Sequence, residues 1–189
     1  MKFLEKYRNK KNIRFELFKK TLEITKARGV KTIVETGTSR GKIKFFFFKK
    51  DNWKDGMSTL IFSEFANYIG GELHSCDISE ENISNAKHFT KKFKQNTYFY
   101  IQDSVIFLKN FKKQIDFLYL DSFDGHNPEL ASNHQLMEAK MAIKNLTNSS
   151  IVLLDDKGAK TNYSIKFFKD NGFKILIETN NQVLLSISV

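Results

Sequence analysis

Carboxylates and glycines recur in this chain where short apolar runs stop. Ile33-Val34-Glu35-Thr36-Gly37-Thr38-Ser39-Arg40-Gly41 is an apolar run that meets an acidic residue and then two glycines four positions apart. Leu73 to Cys76 closes on Asp77, and Thr97 to Ile101 is followed by Asp103-Ser104. Ile115 to Leu120 ends in Asp121-Ser122-Phe123-Asp124-Gly125-His126, and Ile151 to Leu154 ends in Asp155-Asp156. Glycine lets a backbone take φ > 0 and come close to a ligand, while a carboxylate accepts hydrogen bonds from hydroxyl or ammonium groups. Such residues can seat a nucleotide-like ligand at the carboxyl edge of an open α/β sheet. A Gly-x-x-x-Gly after a strand is also an ordinary turn, so the inference leans on the later aspartates.

Each acidic position has more than one reading. Asp77 lies 36 positions after Gly41, beyond the ~20 of a dinucleotide fingerprint, with an insertion in between. It would accept both hydroxyls of a ribose, or cap the helix that starts near Glu80, a task for which Ser79 competes. Asp121, Asp155 and Asp156 would stand at the ends of adjacent central strands. Like charges packed there share protons or hold a hard cation, unless one of them simply caps a turn. Mg²⁺ at such a site would bind an acceptor oxygen and lower its pKa. His126 is the first candidate general base, because an imidazole titrates near neutral pH, and His134 is the second. Both also read as structural or solvated histidines.

The elements needed to position these groups alternate regularly. Residues 3 to 28 carry apolar side chains at helical spacing with Gly29 as C-cap, giving one or two amphipathic helices that lie against the sheet or over its cleft. Helices are predicted from Ser58 to Ile69, Glu80 to Phe93, Val105 to Leu108, Pro128 to Leu146 and Thr161 to Lys169. The apolar run ending at Leu120 reads as a central parallel strand buried on both faces. Phe173 to Glu178 and Gln182 to Ile187, joined by Asn180-Asn181, read as a hairpin. Residues 42–56, with Phe45-Phe46-Phe47-Phe48 and Trp53, read as a candidate lid, or the four phenylalanines as a buried strand or packing plug. Ser58 or Thr59 would cap the next helix and offer hydroxyls near the Gly37 turn.

Composition bounds the rest. With 189 residues the chain is one domain, 1–189, carrying an N-terminal helical extension over 1–29. A lone Cys76 excludes disulfides and a cysteine metal cluster, and neither a secretion leader nor an apolar run of ~18 residues is visible. A soluble, cytoplasmic protein is expected. Residues 1–50 hold 16 Lys and Arg against 4 Asp and Glu, and the remainder 15 against 17, so the net charge of +10 is N-terminal. That segment would meet nucleic acid, an anionic lipid surface or an acidic substrate, or else forms solvated faces in a lysine-biased chain.

The glycine turn, the aspartates after the second, third and fourth strands and the terminal hairpin together resemble the class I S-adenosylmethionine-dependent methyltransferases over residues 30–189. The resemblance implies an α/β, Rossmann-like, seven-stranded and mostly parallel sheet with a C-terminal antiparallel hairpin and helices on both faces. It also implies S-adenosylmethionine as cofactor. Glu35 and the turn through Gly37, Thr38, Ser39 and Gly41 would hold the methionine part, with Ser58 and Thr59 beside them. Asp77 would hold the ribose, Asp103 and Ser104 the adenine, and Asp121 the reacting end. Val34 to Gly41, Asp55-Gly56-Met57-Ser58-Thr59, Leu120-Asp121 to His126 and Leu154-Asp155-Asp156 look like the small O-methyltransferases that act on antibiotic or sugar hydroxyls, several of which bind Mg²⁺.

Methyl transfer from a sulfonium is an in-line displacement that needs alignment and removal of a hydroxyl proton. His126, Asp121 and Asp124 are the expected catalytic residues, and Asp121, Asp155 and Asp156 the expected metal ligands. The chain departs from the metal-dependent catechol-type pattern at Asp124, where those relatives have a catalytic lysine. Amino-group methylation of nucleic acid is disfavoured because Asp121-Ser122-Phe123-Asp124 lacks the Asn/Asp-Pro-Pro-aromatic element. Base C5 methylation is disfavoured because Cys76 is on the wrong strand. A small-molecule acceptor is the expected partner; RNA ribose methylation, or cofactor binding without turnover, are the alternatives.

Overall fold

A computed structural model describes residues 1–45, 48–158 and 160–188. The chain enters through a 3-10 turn, Lys2–Tyr7, and helix α1, Phe15–Ala27. Strand β1 (Thr32–Thr36) follows, then a hairpin of β2 (Lys42–Phe45) and β3 (Phe48–Asp51), a 3-10 turn (Trp53–Asp55) and helix α2 (Ser58–Ile69). The remainder runs β4 (Glu72–Asp77), α3 (Glu80–Phe89), β5 (Thr97–Ile101), α4 (Ser104–Asn110), β6 (Phe117–Leu120) and α5 (Pro128–Ala142). It ends with β7 (Ile151–Asp155), α6 (Asn162–Asp170), β8 (Lys174–Glu178) and β9 (Gln182–Ser186).

Seven strands form one sheet in the order β5-β4-β1-β6-β7-β9-β8, and β2 with β3 forms a separate ribbon. β5, β4, β1, β6 and β7 are mutually parallel, and β9 inserts antiparallel between β7 and β8. The expected Rossmann-like sheet with a terminal antiparallel pair is present. Strand order reverses at β1: the chain first adds β4 and β5 on one side, then β6 and β7 on the other. Loops at the carboxyl ends of β1, β4 and β6 therefore diverge around a crevice, where open α/β sheets bind ligands.

Every residue of β6, β7 and β9 is buried, as a sheet covered on both faces requires. One core layer joins the N-terminal segment, α1 and α2 to the sheet. In it Phe62 meets Phe18, Phe117 and Tyr119 edge-on at ring distances of 5.2, 5.2 and 5.3 Å. The other layer seats Phe107, Ala139, Ala142 and Phe168 from α4, α5 and α6 on Val34, Leu118 and Val152. Leu4, Tyr7, Phe15, Phe18 and Leu22 are all buried in the first layer, so the N-terminal extension is part of the core.

Several boundaries differ from expectation for local reasons. Strands β2 and β3 pair antiparallel and Trp53–Asp55 is a 3-10 turn; the lid and packing-plug readings of the four phenylalanines fall outside what is described of these residues. Helix α3 stops at Phe89, with the Thr90 hydroxyl donating back to the Ala86 carbonyl at 2.7 Å, and the segment to Asn96 continues as 3-10 turns broken at Phe93. Helix α5 has Pro128 in its first turn and Asn127 as N-cap, then tightens into a 3-10 turn, Ile143–Asn145, short of Leu146. At the start of α2 the cap position is Met57, at φ 54°, and neither Ser58 nor Thr59 caps the helix.

Candidate active site

A cavity of about 490 Å³ opens at the carboxyl edge where the strand order reverses, a size within the range of small-molecule sites. Of the residues expected to bind or react, Gly37, Thr38, Ser39, Asp77, Asp103, Ser104, Asp121, Asp124 and Asp156 line it. Glu35, Gly41, Ser58, Thr59, His126 and Asp155 do not.

Glu35 lies behind the glycine turn, fully buried. Side chains alternate along a strand, so Glu35 shares the face of Ile33 and points under the start of α2. Its carboxylate accepts from Ser58 Oγ at 2.6 Å, Thr59 Oγ1 at 2.8 Å and Ser75 Oγ at 2.5 Å. Ser75 is its register partner on β4. Each of these hydroxyls spends its one hydrogen on Glu35, which fixes the direction of every further bond it makes. Thr59 Oγ1 accepts from the Ser39 N–H at 2.8 Å, Ser58 Oγ accepts from Ser39 Oγ at 2.9 Å, and Ser75 Oγ accepts from Thr38 Oγ1 at 2.9 Å. Ser39 Oγ in turn accepts from the Thr59 N–H at 3.1 Å. The expectation that Glu35 holds the methionine part directly is thus corrected: it holds the turn from below, with Ser58 and Thr59 as its intermediaries. Burial pushes its carboxyl up to about 7 against the pull of the three hydroxyls, with Asp121 adding to the rise.

The turn glycines answer to protein as much as to ligand. Gly37 has φ +83°, and a Cβ there would stand 2.3 Å from the Asp121 carbonyl oxygen. Gly41, φ +73°, would drive a Cβ to 2.1 Å from the Phe89 ring.

Asp77 bridges two loops. Its Oδ2 accepts from the Thr38 N–H at 3.0 Å and from Asn82 Nδ2 at 3.1 Å, and its Oδ1 accepts from the Ser79 N–H at 2.8 Å. Ser79 is the N-cap of α3, which leaves Asp77 at the cavity. Asp103 caps α4 by accepting from the Ile106 N–H at 3.0 Å while also lining the cavity. Ser104 Oγ lies 2.9 Å from His134 Nε2 and donates to Ser122 Oγ at 3.3 Å, and Ser122 donates to the buried Glu138 at 2.6 Å. The Phe123 ring stands 5.2 Å from that of His134. His134 therefore reaches the cavity, whereas His126 is exposed beyond it. Asp124 pairs with Arg40 at the surface, which accounts for the turn arginine. Phe123 and Asp156 hold left-handed backbone, at φ 59° and 52°, a strain that clusters at functional loops.

The acceptor side is a charged cluster that sequence reasoning grasped only in part. Asp121, Asp155 and Asp156 bring carboxylate oxygens within 4.8 Å of one another. Two cations stand among them. Arg14 Nε donates to Asp155 Oδ2 at 2.6 Å and its Nη2 to Asp156 Oδ1 at 2.8 Å. Lys160 Nζ lies 2.9 Å from Asp121 Oδ1 and 2.9 Å from Asp156 Oδ2. Tyr119 donates to Asp121 Oδ2 at 3.2 Å. Burial and the Asp121 charge raise the Asp155 carboxyl well above the usual range, while Lys160 and Arg14 outweigh burial at Asp156 and hold it low. Asn12 Nδ2 donates to the Gly56 carbonyl at 3.0 Å, which fixes the segment that delivers Arg14.

No family model and no curated protein matches the sequence, but solved structures match the fold. An SAH-bound methyltransferase from Podospora anserina superposes with a TM-score of 0.64 at 14% identity, covering 87% of this chain and 75% of that one. A putative methyltransferase from Streptococcus mutans in complex with SAH gives 0.60 at 11%, over 89% and 96%. An O-methyltransferase from Bacillus cereus, also with SAH, gives 0.57 at 15%, over 88% and 78%. This is the class I methyltransferase fold. No helix among the described residues is long and apolar enough to cross a membrane.

The crevice fits one of the two expected groups. For S-adenosylmethionine the Gly37 turn, Asp77 and the Ser104 region offer polar contacts along one wall, and the exposed side chains of Ile78 and Phe123 offer apolar surface. Mg²⁺ fits poorly. It demands a near-octahedral oxygen shell at ~2.0–2.1 Å. Here Asp121 Oδ1, Asp155 Oδ2 and both oxygens of Asp156 already face ammonium or guanidinium nitrogens.

Proposed function

We propose that this protein transfers a methyl group from S-adenosylmethionine to a hydroxyl of a small molecule or sugar. The observation that carries the reading is the convergence of the Gly37 turn, Asp77, Asp103-Ser104 and Asp121 on one cavity at the strand-order reversal of a methyltransferase fold. When bound, S-adenosylmethionine supplies an electrophilic methyl on a sulfonium, and its departure leaves a neutral thioether. Backbone of the Gly37–Ser39 turn holds the amino-acid end, kept in place by Glu35 from behind. Asp77, already oriented by Ser79 and Thr38, accepts from ribose hydroxyls. Ile78 and Phe123 flank the adenine, with Ser104 and His134 at its polar edge.

Asp121 stands at the end of β6 on the cavity wall and takes the acceptor hydroxyl proton. It replaces His126, whose exposed position outside the cavity removes it from that role. The basic N-terminus keeps a nucleic-acid acceptor as the second reading, although four of the 16 Lys and Arg of residues 1–50 are used within the chain. Lys6, Arg8, Arg14 and Lys19 are each paired with a carboxylate of the chain itself. Titration calorimetry tests the reading: S-adenosylmethionine should bind the wild type, and Asp77→Ala should weaken it by roughly 10–100-fold through loss of charge-assisted hydrogen bonds. Absence of binding to the wild type would sink it. Transfer of labelled methyl to a panel of hydroxylated acceptors distinguishes turnover from binding alone.

A further inference from the structure

The Asp121, Asp155 and Asp156 cluster has the composition of a divalent-metal site, yet two side chains of the chain itself occupy its interior. We propose that Lys160 is the resident cation at the acceptor end of the cavity, standing where a divalent ion would, and that the site works without a metal.

The geometry is specific to Lys160. Its side chain is 3% exposed, and an ammonium so buried must be paired. It is paired twice, with Asp121 Oδ1 from the β6 end and Asp156 Oδ2 from the β7 end, each at 2.9 Å. The Lys160 backbone N–H donates to the Asp156 carbonyl at 3.1 Å, closing the turn that aims the side chain inward. Arg14 covers Asp155 Oδ2 and Asp156 Oδ1, which leaves Asp155 Oδ1 as the buried oxygen of the cluster with no hydrogen-bond partner among the described residues. A divalent ion could reach these oxygens only by expelling Lys160, since two cations cannot share them at contact distance.

An ammonium has three hydrogens. Two point to carboxylates, and the third is given no acceptor among the described residues, while Lys160 itself lines the cavity. Resting on the methyl-transfer reading above, that hydrogen is the donor for the acceptor oxygen. As the hydroxyl proton passes to Asp121, Lys160 stabilises the charge left on oxygen. The oxygen–methyl bond then forms as the carbon–sulfur bond breaks, and the electron pair of that bond stays on sulfur.

The test uses the full chain and Mn²⁺ alone as probe, followed by water-proton relaxation and calorimetry. Wild type should bind no Mn²⁺ at this site. Lys160→Met, which keeps the length and removes the charge, should bind one Mn²⁺ on the order of 100-fold more tightly than wild type, because Asp121 Oδ1 and Asp156 Oδ2 are then open to a metal ion beside Asp155. Lys160→Arg should exclude Mn²⁺ as wild type does, which keeps the test valid if Lys160→Met fails to fold. Stoichiometric Mn²⁺ binding to wild type that is abolished by Asp155→Asn overturns the proposal, as does a folded Lys160→Met with no gain in Mn²⁺ affinity. S-adenosylmethionine binding is read in the same samples. A wild type that binds neither S-adenosylmethionine nor Mn²⁺ overturns the methyl-transfer reading and leaves the resident-cation assignment standing.

Discussion

Replacing Glu35 with glutamine should flatten one component of the pH dependence of stability. In the folded protein this carboxyl is fully buried and titrates at about 7, against 4.5 in the unfolded chain. The sign follows from counting protons: between those values the folded state keeps a proton that the unfolded chain has released. The contribution is therefore fullest below pH 4.5 and is lost as pH rises through 7. Its size is about 3 kcal/mol, from ~1.4 kcal/mol for each tenfold change in proton affinity. For a domain of this length that corresponds to roughly 6–12 °C in melting temperature. Glu35→Gln keeps the shape of the protonated side chain and cannot titrate. Denaturant unfolding of both proteins from pH 4.5 to 8.5 should show the variant gaining about 3 kcal/mol on the wild type across the range. Parallel curves would refute the argument, because they would mean that Glu35 is not desolvated in the native state. The comparison is internal: every other titrating group is common to both proteins and drops out of the difference.

Gly37→Ala should cost more than 2 kcal/mol in denaturant unfolding, or prevent folding, since its Cβ would meet the Asp121 carbonyl at 2.3 Å on left-handed backbone. Arg14→Ala should destabilise by about 3 kcal/mol, as it leaves the buried Asp155 Oδ2 without its donor and the Asp156 carboxylate without one of its two cations. Arg14→Lys should recover part of this, because an ammonium restores charge and not the two-pronged contact with Asp155 and Asp156.

β6 and β7 were legible in the sequence because strands covered on both faces demand uninterrupted apolar runs, and these two stop at Asp121 and Asp155, as the less apolar β4 and β5 stop at or just before Asp77 and Asp103. That places Asp77, Asp103 and Asp121 at one edge without any knowledge of tertiary contacts. Glu35 was misassigned for a reason also present in the sequence. It shares strand parity with Ile33, and the face of Ile33 is the one that α2 covers. The alternation Lys42-Ile43-Lys44-Phe45 carried a strand signal that the four consecutive phenylalanines obscured. Lys160 could have been suspected from its position four residues after Asp156, the spacing of a pair one turn apart. Arg14 had no such signal: 141 residues separate it from Asp155, and only the packing of α1 on the sheet brings them together.

The two ends of the cavity are held by opposite electrostatic devices, and the backbone couples them. Behind the donor turn, one buried carboxyl is met only by hydroxyls, so nothing but hydrogen bonding opposes its desolvation. At the acceptor end, three carboxylates are met by two full positive charges. Between them the Gly37 N–H donates to the Cys76 carbonyl at 2.9 Å and the Asp121 N–H to the Thr36 carbonyl at 2.9 Å. The first residues of the loops after β1 and β6 are therefore tied to the neighbouring strand ends of β4 and β1. On the methyl-transfer reading, donor and acceptor subsites anchored to those strand ends would keep the separation that an in-line displacement requires.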